Sequence, residues 1–367
     1  MAPANPSYLT PRRAKPAELE AKEAMVVFTT RFWPRCCIRG EVRAAVSLRP
    51  LLVALALLVA MTAAAVEPVA TFSIVAYDPD TGDLGVAVQS KFFAVGAAVP
   101  FARAGVGAVA TQAMGNMSYG PRGLAMLELG VGPDAVLKTL LSSDPDSAHR
   151  QVGIVDADGR AGAHTGAGCM SWAGHRVGEN YSVQGNILVS EETVDAMARA
   201  FETTGGILGE RLMRALEEGQ RAGGDSRGVQ SAAILVVREG GGYGGFSDRY
   251  CDLRVDDHED PIGELRRIFD VWKHDELIME GYRLSEEGDL AGALAAGRAA
   301  VEMSPAEGEP HYHLACYYAV AGMYEEAIEE LQAAHEIDGE LPSWAAEDPD
   351  LEPIREDERF RALLSRE

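Results

Sequence analysis

Residues 71–89, TFSIVAYDPDTGDLGVAVQ, set two runs of β-branched, aromatic and small apolar residues on either side of a Pro-Asp-Thr-Gly-Asp turn. In such a turn Pro presets φ and Gly permits φ > 0, so the sequence predicts strands over 71–78 and 84–89. A third strand is expected at 105–111. The segments 152–156 and 162–164 bracket an Asp-Ala-Asp-Gly turn and read as a hairpin. Further strands are expected at 183–189, 231–238 and 250–255, the pair 231–238 and 250–255 flanking the glycine-rich GGGYGG loop. Helical spacing marks 120–129, 133–141 with Pro133 suited to a first turn, 191–201 with Ser190 as its cap, 208–220, and a last helix opening at 261–273. Strands and helices thus fall in groups and do not alternate strictly. That order suits an α+β layered sandwich better than a parallel doubly wound sheet.

Residues 51–66 (LLVALALLVAMTAAAV) form an uninterrupted apolar run preceded by Arg43 and Arg49. It is shorter than the roughly 20 residues a membrane span needs, and its small-residue end reads as a secretory signal, with cleavage expected near Val66 and a poorer site after Val69-Ala70. Residues 1–40 then precede a signal that normally opens a chain, so residues 1–70 are read as a spurious extension plus a signal. True initiation is expected near Val42 or Val46, and the mature protein is expected to be secreted or periplasmic, free of the membrane. No Cys follows the run to carry a lipid. Cys36 and Cys37 leave with the leader, and Cys169, Cys251 and Cys316 remain, an odd set whose pairing sequence does not decide.

Of the 367 residues, 47% are hydrophobic, ample for a packed core, and the formal charge is −23. Nine Lys/Arg and five Asp/Glu precede Thr71, which leaves 24 basic against 51 acidic residues from there onward. Such a surface repels phosphate backbones, so nucleic acid is excluded as an expected partner.

The motifs TFSIVAYDPDTGDLGVAVQS, GVGAVATQ, YGPRGLAML, AHTGAGC and SVQGNIL come in this order over residues 70–272. In them the chain closely resembles the bacterial and archaeal family known as domain of unknown function 1028. That family is grouped with the N-terminal-nucleophile (Ntn) hydrolases, so the resemblance implies a four-layer αββα sandwich over 71–272 and a suspected mechanism, without a substrate.

An Ntn enzyme attacks with the side chain of a mature N-terminal Thr, Ser or Cys and uses its own α-amine, of ordinary pKa about 7.7–8.0, as general base. Thr71 opens the first strand, where such a nucleophile belongs, and Ser73 is the fallback on the same strand face. Asn186 and the amide of Gly185 are candidate donors to a tetrahedral oxyanion. Ser90, Lys91 and His164 are further candidates for the substrate pocket. The structural alternatives are ordinary for each: a β-favouring threonine, a close-packed glycine, a solvated lysine, a hydrogen-bonded turn histidine. Competing motifs are weak. Gly105-Val-Gly107 lies in a strand with no helix opening at the glycines, the GGGYGG loop lacks GK[ST], and Cys169 has no evident base. His311 and His313 point apart on a helix, so no metal is expected, and no organic cofactor is implied.

Toward the C-terminus, Gly288 and Gly322, Ala293 and Ala327, Leu294 and Ile328, Ala300 and Ala334, and Met303 and Ile337 recur at an interval of 34 residues, the tetratricopeptide length. Two such repeats are expected over 274–341, packed on the preceding domain through the Pro261 helix, with a closing amphipathic helix in 342–367. Two readings of function follow. One is an amidohydrolase acting on a small amide or peptide. The other is a binding scaffold whose repeats meet a protein partner or a second copy of the chain.

Overall fold

The computed structural model describes residues 70–365; the apolar run at 51–66 and the leader before it lie outside the described residues. Among the described residues, ten strands form two antiparallel sheets. β1 (Thr71–Tyr77), β2 (Leu84–Ser90), β7 (Gly174–Gly178), β8 (Tyr181–Asn186), β9 (Ser231–Val237) and β10 (Arg249–Val255) make one sheet in the order β10-β9-β2-β1-β8-β7. β3 (Pro100–Arg103), β4 (Gly107–Gln112), β5 (Gln151–Asp156) and β6 (Ala161–Thr165) make the other, in sequence order. The fold is therefore mixed α+β with two antiparallel sheets, as the grouping of strands and helices predicts.

Alternation along β1 explains how the sheets are covered. Phe72, Ile74 and Ala76 face α3 (Glu192–Thr203) and α4 (Leu208–Arg221), joining Met197, Phe201, Leu212 and Leu216 in one buried cluster. Val75 faces the other way, into a cluster with Val86, Val88, Ala108, Ala110 and Val155 that lies between the two sheets. The outer face of the smaller sheet packs Val109, Val152 and Ile154 against Leu124, Leu127, Val136 and Leu140 of α1 (Tyr119–Glu128) and α2 (Pro133–Ser142). Each Val, Leu, Ile, Phe or Met among these, when fully buried, stabilises by about 1.5–3 kcal/mol.

Several local expectations are corrected. The single strand expected at 105–111 is the second half of a β3–β4 hairpin, its turn made at Gly105 with φ 67; β3 escapes the pattern because it is four residues long and begins at Pro100. β7 reads GHRVG and is half-buried, so it carries neither β-branched alternation nor an apolar run. Ser190 is not the cap of α3: the helix begins one turn-position later, after Glu191, whose side chain makes no capping bond.

The Pro261 helix, α5 (Pro261–Glu287), does not stop near 273 but runs 27 residues. Pro261 sits in its first turn and the Asp260 side chain accepts from Gly263 N at 3.1 Å. Its first half packs Ile262, Leu265 and Phe269 into the α3–α4 cluster, and its second half lays Tyr282 and Leu284 against the C-terminal cluster. One helix thus belongs to both regions. Beyond it come α6 (Leu290–Met303), α7 (Gly308–Val320), α8 (Tyr324–Asp338) and a short α9 (Glu358–Leu364). Gly288 and Gly322 both have positive φ, 86 and 75, at the turns after α5 and α7, and Ala293, Ala300, Ala327 and Ala334 are all buried. Gly281 lets α7 approach: a Cβ there would lie 2.5 Å from the Tyr317 ring. Cys169, Cys251 and Cys316 are free thiols, and no described helix is long and apolar enough to cross a membrane.

Candidate functional site

The inward face of the larger sheet changes character along its length. On β1 it reads Thr71, Ser73, Val75; on β8, Ser182, Gln184, Asn186; on β2 it ends Val88, Ser90. Antiparallel register places Thr71 beside both Ser90 and Asn186. From the smaller sheet Gln112, at the end of β4, and its ladder partner Gln151, at the start of β5, come to the same end. Thr71, Ser73, Ser90, Gln112, Gln151, Ser182, Gln184 and Asn186 are each at most 2% exposed. Polar side chains buried this deeply must find partners or cost about 1–3 kcal/mol each.

They find one another. Gln151 is the hub: its Oε1 accepts from Gln112 Nε2 at 2.8 Å and Asn186 Nδ2 at 3.0 Å, while its Nε2 reaches the Gly185 carbonyl at 2.8 Å, the Gly174 carbonyl at 3.0 Å and Thr165 Oγ1 at 2.9 Å. Ser73 Oγ donates to Gln112 Oε1 at 2.7 Å and accepts from Gln184 Nε2 at 2.6 Å. The Thr71 carbonyl accepts from Gln112 Nε2 at 3.2 Å and Asn186 Nδ2 at 3.4 Å. Gly153 on β5 makes this packing feasible, since a Cβ there would lie 2.1 Å from Gln184 Oε1.

At the edge of the network the chain comes in. The Ala70 carbonyl accepts from Ser90 Oγ at 2.5 Å and from Arg227 Nη2 at 3.1 Å. Thr71 Oγ1 lies 3.0 Å from Ser90 Oγ. Because the Ser90 hydrogen is directed to Ala70, the Thr71 hydroxyl is the donor in that pair. Arg227 is aimed by Asp225, whose side chain is fully buried and whose oxygens accept from Arg227 Nη2 at 2.9 Å, Arg227 N at 2.8 Å and Lys91 N at 2.9 Å.

Of the residues singled out from sequence, Thr71, Ser73, Ser90, Gly185 and Asn186 converge here, Gly185 through its carbonyl as a hydrogen-bond acceptor. Lys91 and His164 do not. Lys91 is exposed and its Nζ bonds the Val229 carbonyl at 3.2 Å, leaving only its backbone beside the site. His164 pairs with Val152, on the face of the smaller sheet that packs against α1 and α2, and bonds the Ser147 carbonyl at 3.2 Å. The strand parity that turns His164 away brings its neighbour Thr165 in. Thr165 Oγ1, which accepts from Gln151, also lies within hydrogen-bond distance of His175 Nδ1, at 2.9 Å. Burial, with His164 and Arg176 nearby, lowers the His175 pKa.

Sequence reasoning missed Gln112, Gln151, Gln184, Thr165, His175, Asp225 and Arg227. The glutamines carried a signal: each sits on an inward track of period two, where an apolar residue is expected. Asp225 and Arg227 lie in a loop and carried none. A second buried ion pair braces the site's flank: Asp144 accepts from Arg150 Nε at 2.9 Å, Tyr119 OH at 2.9 Å and Asn116 Nδ2 at 3.0 Å, and Arg150 with Asn116 holds its carboxyl well below the usual range. Burial and the Asp144 bond push Tyr119 up to about 12.

A family model described as a family of unknown function, DUF1028, matches residues 71–265. The chain belongs to the DUF1028 family. A crystal structure of a DUF1028 protein from Silicibacter pomeroyi is similar to it, with 30% identity and a TM-score of 0.50, covering 55% of this chain and 88% of that one. No curated protein matches the chain. The DUF1028 match takes in every strand of both sheets and stops at Leu265, inside α5, so the network around Thr71 falls within it and the helices from α6 onward fall beyond it.

Proposed function

We propose that residues 71–272 are an Ntn-type amide hydrolase in a four-layer αββα sandwich, with Thr71 as nucleophile, released by cleavage of the chain's own Ala70–Thr71 bond. The observation that carries this reading is the pair of donors on the Ala70 carbonyl, Ser90 Oγ and Arg227 Nη2, beside the Thr71 hydroxyl. Donors aimed at a carbonyl oxygen stabilise the charge that develops on it when the carbon is attacked.

The step balances through two hydroxyls. Thr71 Oγ1 adds to the Ala70 carbonyl carbon. Its proton passes to Ser90 Oγ, and the Ser90 proton passes to the Ala70 oxygen. The C–N bond then breaks as the proton on the former Ala70 carbonyl oxygen passes to the nitrogen of Thr71, and an ester joins Ala70 to Thr71 Oγ1. Water hydrolyses that ester, leaving an Ala70 carboxylate and Thr71 with a free amine and hydroxyl. The amine, partly neutral near pH 8, is then the base for turnover of an external amide. Asn186 and Gln112 hold the Thr71 carbonyl and so fix the nucleophile's backbone. The loops beyond these strand ends expose Phe92, Phe93, Met114, Met117 and Met170, a rim suited to a small organic amide or peptide.

The alternative is a non-catalytic scaffold, favoured by one observation: Thr71 is 0% exposed while Ala70 precedes it. On the catalytic reading, loss of the upstream residues is what opens the site. We read 51–66 as the signal of a secreted or periplasmic protein, and 274–341 as two tetratricopeptide-type repeats available to a protein partner or a second copy. Mass spectrometry of mature protein decides between the functions. A mature chain that begins at residue 71, absent for Thr71→Ala and formed more slowly for Thr71→Ser, is the expected result; a mature chain that keeps Ala70 removes the mechanism.

A further inference from the structure

Ala70 sits in an enclosed niche at the start of β1. Its residue is 0% exposed. On either side of β1 the chain leaves β2 at Lys91 and β8 at Ile187, and residues 225–227 tie these two exits together across the start of β1. The Asp225 carboxylate accepts from Lys91 N at 2.9 Å, and Arg227 Nη2 donates to the Lys91 carbonyl at 3.2 Å. Ser226 donates to the Ile187 carbonyl twice, from N at 3.1 Å and from Oγ at 2.8 Å, and Asp225 bridges to Leu188. Widening the niche would strain these bonds, and for Asp225, with a fully buried side chain, any lost partner is costly.

The first acyl group that Thr71 attacks is that of Ala70. After it departs, the tie and the two donors still surround the hydroxyl, so an incoming amide must present its carbonyl where the Ala70 carbonyl lay and put its acyl group in the Ala70 niche. We infer that the mature site is an acyl-size filter: it hydrolyses amides whose acyl residue is no larger than alanyl, with Asp225 and Ser226 as positioning residues that set the limit. This rests on the Thr71 mechanism above.

The test uses full-length protein matured to Thr71 and four 4-nitroanilides: acetyl, N-acetylalanyl, N-acetylleucyl and phenylacetyl. The N-acetylalanyl compound is expected to exceed the N-acetylleucyl compound in kcat/KM by about 100-fold, the scale on which a close-fitting pocket separates substrates by size. Asp225→Ala, or the milder Ser226→Ala should the first not fold, is expected to shrink that ratio by about tenfold, whatever happens to the absolute rate. Equal Thr71-dependent hydrolysis of the leucyl compound, or an unchanged ratio in a folded variant, overturns the filter and leaves the mechanism standing. Absence of Thr71-dependent hydrolysis of all four overturns both.

Discussion

Gln151, on the smaller sheet, donates its side-chain amide to the main-chain carbonyl of Gly185 on the larger sheet, 2.8 Å away. This bond crosses the gap between the sheets at the end where their facing side chains are polar, and it makes the network around Thr71 part of the packing. A site built this way is rigid because its members are also the core.

Gln151→Leu should therefore destabilise the protein by about 3 kcal/mol, since it removes the acceptor shared by Gln112 and Asn186 and the donor to the Gly185 and Gly174 carbonyls. Urea unfolding at neutral pH measures it. A loss below about 1 kcal/mol would mean that the network repairs itself around the leucine.

Gly153→Ala asks for space that Gln184 occupies, the new Cβ falling 2.1 Å from Gln184 Oε1. The glutamine must move, releasing Ser73 Oγ, at an expected cost of about 1–3 kcal/mol. Thermal unfolding of this variant beside Gly132→Ala, where nothing lies within 4 Å of the added carbon, separates crowding from the general effect of losing a glycine.

Arg227→Met keeps the length of the side chain and removes the donor to the Ala70 carbonyl. Release of Thr71 should slow by about 100-fold, the usual consequence of losing one oxyanion donor. The appearance of the cleaved chain, followed by mass spectrometry after the purified precursor is brought to working pH, gives the rate. Wild-type kinetics in the variant would take Arg227 out of the step.

His175 makes stability depend on pH. Its pKa in the folded protein is lowered by burial, below the ordinary value of about 6.5, so the unfolded chain binds the proton more readily. The stability contributed is complete above about pH 6.5 and declines as pH falls through the folded value. Urea midpoints should drop between pH 7.5 and 5, and His175→Gln should flatten that part of the slope. An equal slope in the variant would assign the pH dependence to other groups.

Sequence alone determined the strand–turn–strand opening, the positions of α1 to α4, the 34-residue recurrence, whose two glycines take positive φ, and five of the residues that meet at the site. These are properties of local spacing, turn chemistry and small-residue periodicity, which a short window of chain carries. The tertiary structure decided the rest. Whether an inward polar residue is a flaw or a member of a network depends on what the opposite sheet presents, and Gln112, Gln151 and Gln184 acquire meaning only when two sheets bring them together. His164 and Thr165 differ by one residue, yet strand parity sends them to opposite faces. Arg227 reaches the Ala70 carbonyl across 157 positions of chain, a proximity that only the folded packing of a loop over a strand end can create.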